Sequence, residues 1–299
     1  MDIRQAVKRV TDLRYREIRF PAFGREGKPV YHIRFFFGEG LMSMLYRAMT
    51  HIEYAEKHGY MPYIDLARYR TQYSVPGENA WERFFTQPKA YDPEQAKKGR
   101  YILSSCTPDR SGLKLYGEYW ARAFGDYAAK GEYLRERIGV NPGILRETEN
   151  SGIRTEESLG VLARGTDYTS LRPKGHPAQP TAGEIAGMID EALERRDYEN
   201  IFLVTEDAAV RDRLLGRYGK RILLPEDGGV TGEYREGKML YQSISAGKIN
   251  DNARTYLKKI LLLSRCEGLV AGKTNGSLMA CILNGGKYGE TSLFDRGFY

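Results

Sequence analysis

The chain has 299 residues, of which 41% are hydrophobic and 28% charged, a balance that suits a soluble globular protein of one or two domains without low-complexity tracts. No apolar run approaches the ~20 residues of a membrane span, and Met1 to Arg19 is charged throughout without a signal-peptide core, so a cytoplasmic protein is expected. The net charge of +7 suits an anionic partner, whether nucleic acid, membrane surface or a phosphorylated small molecule, without choosing among them.

In chain order, Val30 to Phe37 reads as a strand, Gly38-Glu39-Gly40 breaks it, and Leu41, Met44, Leu45, Ala48, Ile52 and Ala55 recur at helical spacing. Tyr60 to Leu66 then reads as a second strand, completing a βαβ unit and implying a parallel sheet. Glycines at such a strand-to-helix turn bare backbone N–H groups for a diphosphate or sugar, although they also serve simply to make the turn. Tyr69 to Asp109 is rich in turn residues and aromatics, with Trp81, Phe84 and Phe85 expected as packing anchors and a strand over Tyr101 to Ser105. A long helical region follows from Leu115 to about Arg146, interrupted near Gly139 and Pro142. A domain boundary is placed near residue 150, giving domains over 1–150 and 151–299.

The second half alternates strands and helices: strand Leu159 to Ala163, a loop containing His176, helix Thr181 to Arg196, strand Ile201 to Thr205, helix Ala208 to Tyr218 and strand Arg221 to Leu224. A helix over Asn252 to Ser264, a strand over Gly268 to Ala271, the turn Gly272 to Ser277 and a helix over Leu278 to Leu283 complete it. The three cysteines, Cys106, Cys266 and Cys281, lack metal-like or disulfide-like spacing and read as buried thiols.

Open α/β sheets bind ligands beyond the carboxyl ends of their strands. The residues at those ends form a set: Arg164 and Asp167 after the first strand of this half, Glu206 and Asp207 after the second, and Thr274, Asn275 and Ser277 after the last. Arginine presents a planar fork of donors that fits two phosphate oxygens, Asp167 stands where it can hold that arginine, and hydroxyls and carboxylates suit phosphate, ribose or base. Residue by residue there is a plainer alternative: a surface ion pair for Arg164 and Asp167, a helix N-cap for Glu206-Asp207, and cap or turn residues for Thr274 and Asn275. Their recurrence after successive strands favours a nucleoside diphosphate site.

These motifs resemble, in order, those of the fucosyltransferase-like glycosyltransferases of the GT-B fold, in particular the α-1,6-fucosyltransferases of bacterial nodulation and animal core fucosylation. The family's His-Val-Arg-Arg-Thr-Asp followed by His-Pro is similar to Leu162-Ala163-Arg164-Gly165-Thr166-Asp167 followed by His176-Pro177, and its Ala-Thr-Asp-Asp to Val204-Thr205-Glu206-Asp207. Its Ser/Thr-rich turn resembles Gly272 to Ser277, its Gly-x-Gly turn resembles Gly38-Glu39-Gly40, and its Trp-Glu-x-x-Phe segment resembles Trp81 to Phe85. The resemblance implies an α/β protein of two Rossmann-like domains facing each other across a cleft, with 1–150 on the acceptor side and 151–299 holding the nucleotide sugar. It further implies inverting, metal-independent transfer of fucose from GDP-fucose to a hydroxyl of a glycan or polysaccharide. Arg164 and Asp167 would be catalytic. Gly38, Glu39, Gly40, Arg164, His176, Glu206, Asp207, Thr274, Asn275 and Ser277 would bind the donor, Glu206 at the guanine. Bacterial surface-polysaccharide enzymes carry similar patterns, which implies such a role at the inner face of the cell membrane.

The departures are specific. Leu162 replaces the family's histidine, Gly165 one of its paired arginines, and Arg172 stands where the animal enzymes carry a glutamate considered as base. The base is therefore open among Glu39, Glu82, Asp167 and His176. No Asp-x-Asp motif for a divalent ion is present and no cofactor is expected. Two alternatives stand beside this reading: another nucleotide-sugar donor on the same fold, and a non-catalytic nucleotide-sugar or nucleic-acid binder. No recognised nucleic-acid module is visible, so nucleic acid is not the expected partner.

Overall fold

The structure is a computed structural model that describes residues 18–21, 27–35, 38–98, 101–104, 120, 122–228 and 244–299. The chain divides into two compact units, one of Met1–Leu115 with Tyr133–Asn141 and one of Tyr116–Glu132 with Pro142–Tyr299.

The first unit holds a four-stranded sheet of β1 (Ile18–Pro21), β2 (Val30–Ile33), β3 (Met61–Ile64) and β4 (Tyr101–Ser104) in the order β1-β4-β2-β3. β2 runs parallel to both β3 and β4, and only β1 is antiparallel. Between β2 and β3 lies helix α1 (Leu41–Lys57), whose residues Leu41, Met44, Leu45, Ala48, Ile52 and Ala55 are all buried, as their spacing requires. Alternation along β2 sends Tyr31 toward α1, where its ring meets Tyr54 at 5.4 Å, and His32 to the opposite face beside Tyr63 at 5.2 Å. Trp81 is fully buried, donates Nε1–H to the carbonyl of Thr86 and packs on Phe85 at 4.6 Å, so it anchors the core. A four-residue helix, α2 (Pro93–Ala96), is capped by Asp92. The expected strand Tyr60 to Leu66 stops at Ile64 because the Asp65 carboxylate turns back to accept the N–H of Arg68. Phe36 and Phe37, the end of the expected first strand, and Cys106 lie outside the described residues.

Helix α3 (Tyr127–Arg137) and helix α4 (Pro142–Asn150) occupy the expected long helical region. Gly125 and Asp126, with φ of 105° and 48°, precede α3, and Pro142 opens α4 at the position where a missing N–H costs nothing. The Lys130 ammonium donates to the carbonyls of Arg122, Ala123 and Gly125 at 2.8–2.9 Å, satisfying groups that end the preceding turn.

The second unit is built on five parallel strands, β5 (Ser158–Ala163), β6 (Asn200–Thr205), β7 (Ile222–Leu223), β8 (Gly268–Gly272) and β9 (Glu290–Phe294), in the order β7-β6-β5-β8-β9. Besides α4, this unit holds the helices α5 (Thr166–Leu171), α6 (Ala182–Arg195), α7 (Ala208–Tyr218), α8 (Ile249–Leu263) and α9 (Asn275–Asn284). Every residue of β5 is buried because both faces of the sheet are covered. On one face Leu159, Val161, Ile201, Leu203 and Val270 pack with Ile185 and Ile189 of α6 and Val210 and Leu214 of α7. Toward the other, a Cβ on Gly160 would stand 3.0 Å from Leu263 of α8, and Gly276 of α9 meets Leu162. Each fully buried aliphatic side chain contributes about 1.5–3 kcal/mol, so this two-faced core dominates the stability of the unit. Among the described residues no helix is long and apolar enough to cross a membrane.

Candidate functional site

The strand order of the second unit reverses at β5, from which the chain winds out through β6 and β7 on one side and through β8 and β9 on the other. In open α/β sheets such a switch point is where ligand crevices form, here at the carboxyl ends of β5 and β8. Ala163 pairs with Thr205, and Leu162 with Ala271, so the register places Arg164 beside Glu206 and near the turn that follows Gly272.

Arg164 is held from two sides. Its Nε lies 3.4 Å from Oε1 of Glu206, whose side chain is only 6% exposed, and its guanidinium carbon stands 4.3 Å from the centre of the Tyr168 ring. The Tyr168 hydroxyl is 3.3 Å from Nδ1 of His176, and the two rings meet edge to face. The His176 loop is fixed in turn by Gly297–Tyr299. The N–H of Tyr299 donates to the carbonyl of His176, the N–H of Gly175 to the carbonyl of Tyr299, and the N–H of Gln179 to the Tyr299 hydroxyl. Gln179 also donates to the carbonyls of Pro177 and Lys273, tying this loop to the turn after β8.

Gly165 is explained by Asp207. A Cβ on Gly165 would fall 2.3 Å from Asp207 Oδ2 and 2.7 Å from its Cβ, so only glycine lets the two segments pass. Asp207 itself caps α7, its Oδ1 accepting from the N–H of Ala209 and Val210. After β8, Thr274 and Ser277 close a capping box at the start of α9. Each side chain accepts the other's N–H, and the Ser277 hydroxyl donates to the carbonyl of Gly272 at 2.7 Å. Asn275 is the first residue of α9, whose N-terminus directs its partial positive charge outward along the helix axis. The structure thus brings Arg164, Glu206, Tyr168 and His176 into one connected cluster, while Asp207, Thr274 and Ser277 shape the adjoining helix starts. The side chain of Asp167 lies outside the described residues. Tyr168, Gln179 and Tyr299 were not singled out as site residues; the one available signal was Tyr168 standing four positions after Arg164, within reach once that segment turns helical.

In the first unit, Gly38, Glu39 and Gly40 lead into α1. The Glu39 carboxylate is 7% exposed and accepts from Ser43 at 2.8 Å and Arg47 at 2.6 Å. Gly40 has φ −70° and ψ 149°, open to any residue, and a Cβ there would meet nothing within 4 Å. The fold of the unit itself does not demand a glycine at that position.

The two remaining thiols are chemically quiet. Cys266 and Cys281 are buried, and burial pushes both up to about 12.

The reversing five-stranded parallel sheet flanked by helices, and the α/β sheet of the other unit, give the chain a GT-B-like α/β fold. Solved structures agree. The fucosyltransferase NodZ from Bradyrhizobium matches with a TM-score of 0.50 at 13% identity over 86% of this chain and 94% of that one. NodZ α-1,6-fucosyltransferase soaked with GDP-fucose gives 0.50 at 15% identity over 86% and 93%. A mutant of Arabidopsis thaliana FUT1 in complex with GDP gives 0.50 at 12% identity over 92% and 72%. At these identities the likeness is one of fold. No protein-family profile matches the chain, and no curated protein sequence matches it.

Proposed function

We propose that this protein is an inverting, metal-independent glycosyltransferase that moves fucose from GDP-fucose to a hydroxyl of a glycan or polysaccharide, its second unit holding the donor and its first the acceptor. The observation that carries the reading is Arg164, fixed by Glu206 and Tyr168 at the strand end where the sheet order reverses. The fold shared with NodZ, whose structure was solved after soaking with GDP-fucose, supports the choice of donor.

As the bond between the anomeric carbon and the diphosphate breaks, its electron pair leaves with the diphosphate and negative charge accumulates there. A guanidinium already oriented toward that position stabilises the charge without reorganising, and the N-terminus of α9 adds a second positive pole. These groups stand in for the divalent ion that other transferases use on a diphosphate. The acceptor oxygen attacks from the opposite face of the sugar, which inverts the anomeric centre. Gly40, a glycine its own backbone does not require, fits a turn that a bound sugar approaches closely. The reading puts the enzyme in the cytoplasm, working on surface polysaccharide at the inner face of the membrane.

The ion pair between Glu206 and Arg164 favours a second reading of the donor alone. A carboxylate engaged by the guanidinium keeps less capacity to read guanine, and a donor with another base, recognised through ribose and diphosphate, fits the same cluster.

The test is release of nucleotide from GDP-fucose and from UDP-sugars with a panel of oligosaccharide acceptors, with and without chelator. Chelator-resistant release from GDP-fucose, lost in Arg164→Ala, supports the leading reading; release from UDP-sugars alone supports the second.

A further inference from the structure

One buried carboxamide in the second unit is not explained by stability alone. Gln179 is 6% exposed, and its Oε1 is sealed from solvent and accepts no hydrogen bond from a described residue. An orphan buried oxygen carries a cost that an apolar side chain at the position would avoid. The carboxamide also needs room that the neighbouring strand gives up. A Cβ on Gly272, the last residue of β8, would stand 3.1 Å from Cδ of Gln179, closer still to its Oε1, and 3.0 Å from Cδ of Pro180. Gly272 does not have a positive φ, so its backbone suits any residue and the close approach is what demands glycine.

What the carboxamide gains is a bridge. Its Nε2 donates to the carbonyls of Pro177 and Lys273, each at 3.0 Å, which also sets the orientation of the amide, since the reverse would put oxygen against two carbonyls. The two acceptors belong to the two sides of the proposed diphosphate site. Pro177 follows His176, whose ring packs edge to face on Tyr168 at 5.3 Å, and the Arg164 guanidinium lies over the Tyr168 ring. The Lys273 carbonyl belongs to the peptide whose N–H, that of Thr274, donates to Ser277 Oγ at 2.9 Å, so this peptide is clamped on both edges at the start of α9. Leu162 pairs with Ala271, and Arg164 and Lys273 each lie two residues further on, so the bridge joins matching levels of β5 and β8.

We propose that Gln179, admitted by Gly272, is the positioning residue that holds Arg164 and the start of α9 at a fixed spacing, and that this spacing makes the site prefer a diphosphate over a monophosphate. The proposal rests on the reading above, in which Arg164 and α9 receive the diphosphate of a nucleotide sugar. A diphosphate that meets a guanidinium with one phosphate and backbone N–H groups with the other binds best when the two poles keep their separation. A monophosphate reaches one pole at a time and re-seats when they drift apart. The contribution of Gln179 is preorganisation rather than contact.

Calorimetric titration of GDP and GMP into the wild type, Gln179→Asn and Gly272→Ala, with thermal midpoints recorded for each, tests it. Asparagine keeps the carboxamide but is one methylene short of spanning both carbonyls, and the alanine methyl displaces the amide from the strand side. The wild type is expected to bind GDP at least about tenfold more tightly than GMP. Each variant is expected to lose about tenfold for GDP, the equivalent of one charge-assisted hydrogen bond, while keeping its affinity for GMP. A lower midpoint with an unchanged ratio of the two affinities is what a purely structural role gives, and it overturns the proposal. Wild-type GDP affinity in Gln179→Asn overturns it as well, as does a wild type that binds GMP as tightly as GDP. Should Gly272→Ala not fold, the ratio in Gln179→Asn decides alone. Wild-type protein that binds no GDP, or whose GDP affinity is untouched in Arg164→Ala, instead brings down the parent reading and this one with it.

Discussion

Arg164 and Glu206 meet at 3.4 Å across the ends of two neighbouring strands, the carboxylate nearly buried and the guanidinium about one-fifth open, at 21%. The pairing follows from register, since each residue directly follows a strand position paired with the other's. It fixes the rotamer of Arg164, the cation proposed to receive a diphosphate, and Tyr168 fixes the plane of its guanidinium.

Tyr168 is therefore expected to act through its ring rather than through its hydroxyl. Tyr168→Phe keeps the face under Arg164 and should leave kcat close to wild type. Tyr168→Ala removes a cation–π contact of about 0.5–2 kcal/mol, which corresponds to a loss of roughly 2- to 30-fold in rate. Steady-state kinetics on the pair checks this, and equal losses in both variants would assign the effect to the His176 hydrogen bond instead.

Glu206→Ala is expected to destabilise the fold as well as disorder Arg164. Removing the carboxylate of a part-buried ion pair costs about 1–3 kcal/mol, between the surface and fully buried cases, and the partial exposure of Arg164 keeps the figure toward the lower end. Urea unfolding measures it; an unchanged midpoint would show that solvent replaces the carboxylate at no cost.

Gly165→Ala places a methyl group inside the van der Waals envelope of Asp207. Asp207 is anchored to the first turn of α7, so it cannot retreat without losing the cap. A loss of about 1–3 kcal/mol is expected from overpacking, read as a lower thermal midpoint. Gly40→Ala serves as the contrast, since a methyl group there meets nothing in the fold. It should leave the midpoint unchanged.

Acid stability reports on Asp65. Burial works to raise the Asp65 carboxyl, but hydrogen bonds from His32 and the Arg68 N–H hold it below its ordinary value, so its contribution is present above the unfolded value and is lost as pH falls through the lower, folded one. Wild-type protein is expected to lose more stability than Asp65→Asn between about pH 5 and about pH 3, measured by urea midpoints. Parallel losses would mean that the carboxylate contributes equally in both states.

Much of this was legible before any coordinates, and the gaps have physical reasons. β5, β6 and β8 read clearly because buried parallel strands are short apolar runs ended by glycine or polar residues. Helix α6 was read over Thr181 to Arg196, and in the structure Thr181 and Glu184 close the capping box that starts it. β9 was missed because Glu290–Phe294 is a half-exposed edge strand with little apolar signal. α5 was read as loop because it is one short, Thr-rich helix following a glycine. The role of Arg164 as the residue at the strand end was visible in its own segment, but its partner was not. A carboxylate from a different strand is a tertiary contact that one-dimensional spacing does not encode, and neither the pairing of His32 with Asp65 nor that of Tyr299 with Gln179 leaves a local trace.

The central claim is that Arg164 receives the diphosphate of a guanine nucleotide sugar without a metal ion. Calorimetric titration of GDP into wild-type protein and Arg164→Ala, each in the presence of chelator and with UDP as the comparison, tests it most directly. GDP is expected to bind the wild type without divalent ion and more tightly than UDP, and Arg164→Ala to lose at least about tenfold in affinity, the equivalent of one charge-assisted hydrogen bond. Binding of GDP to Arg164→Ala with wild-type affinity, or no binding of GDP to the wild type, would contradict it.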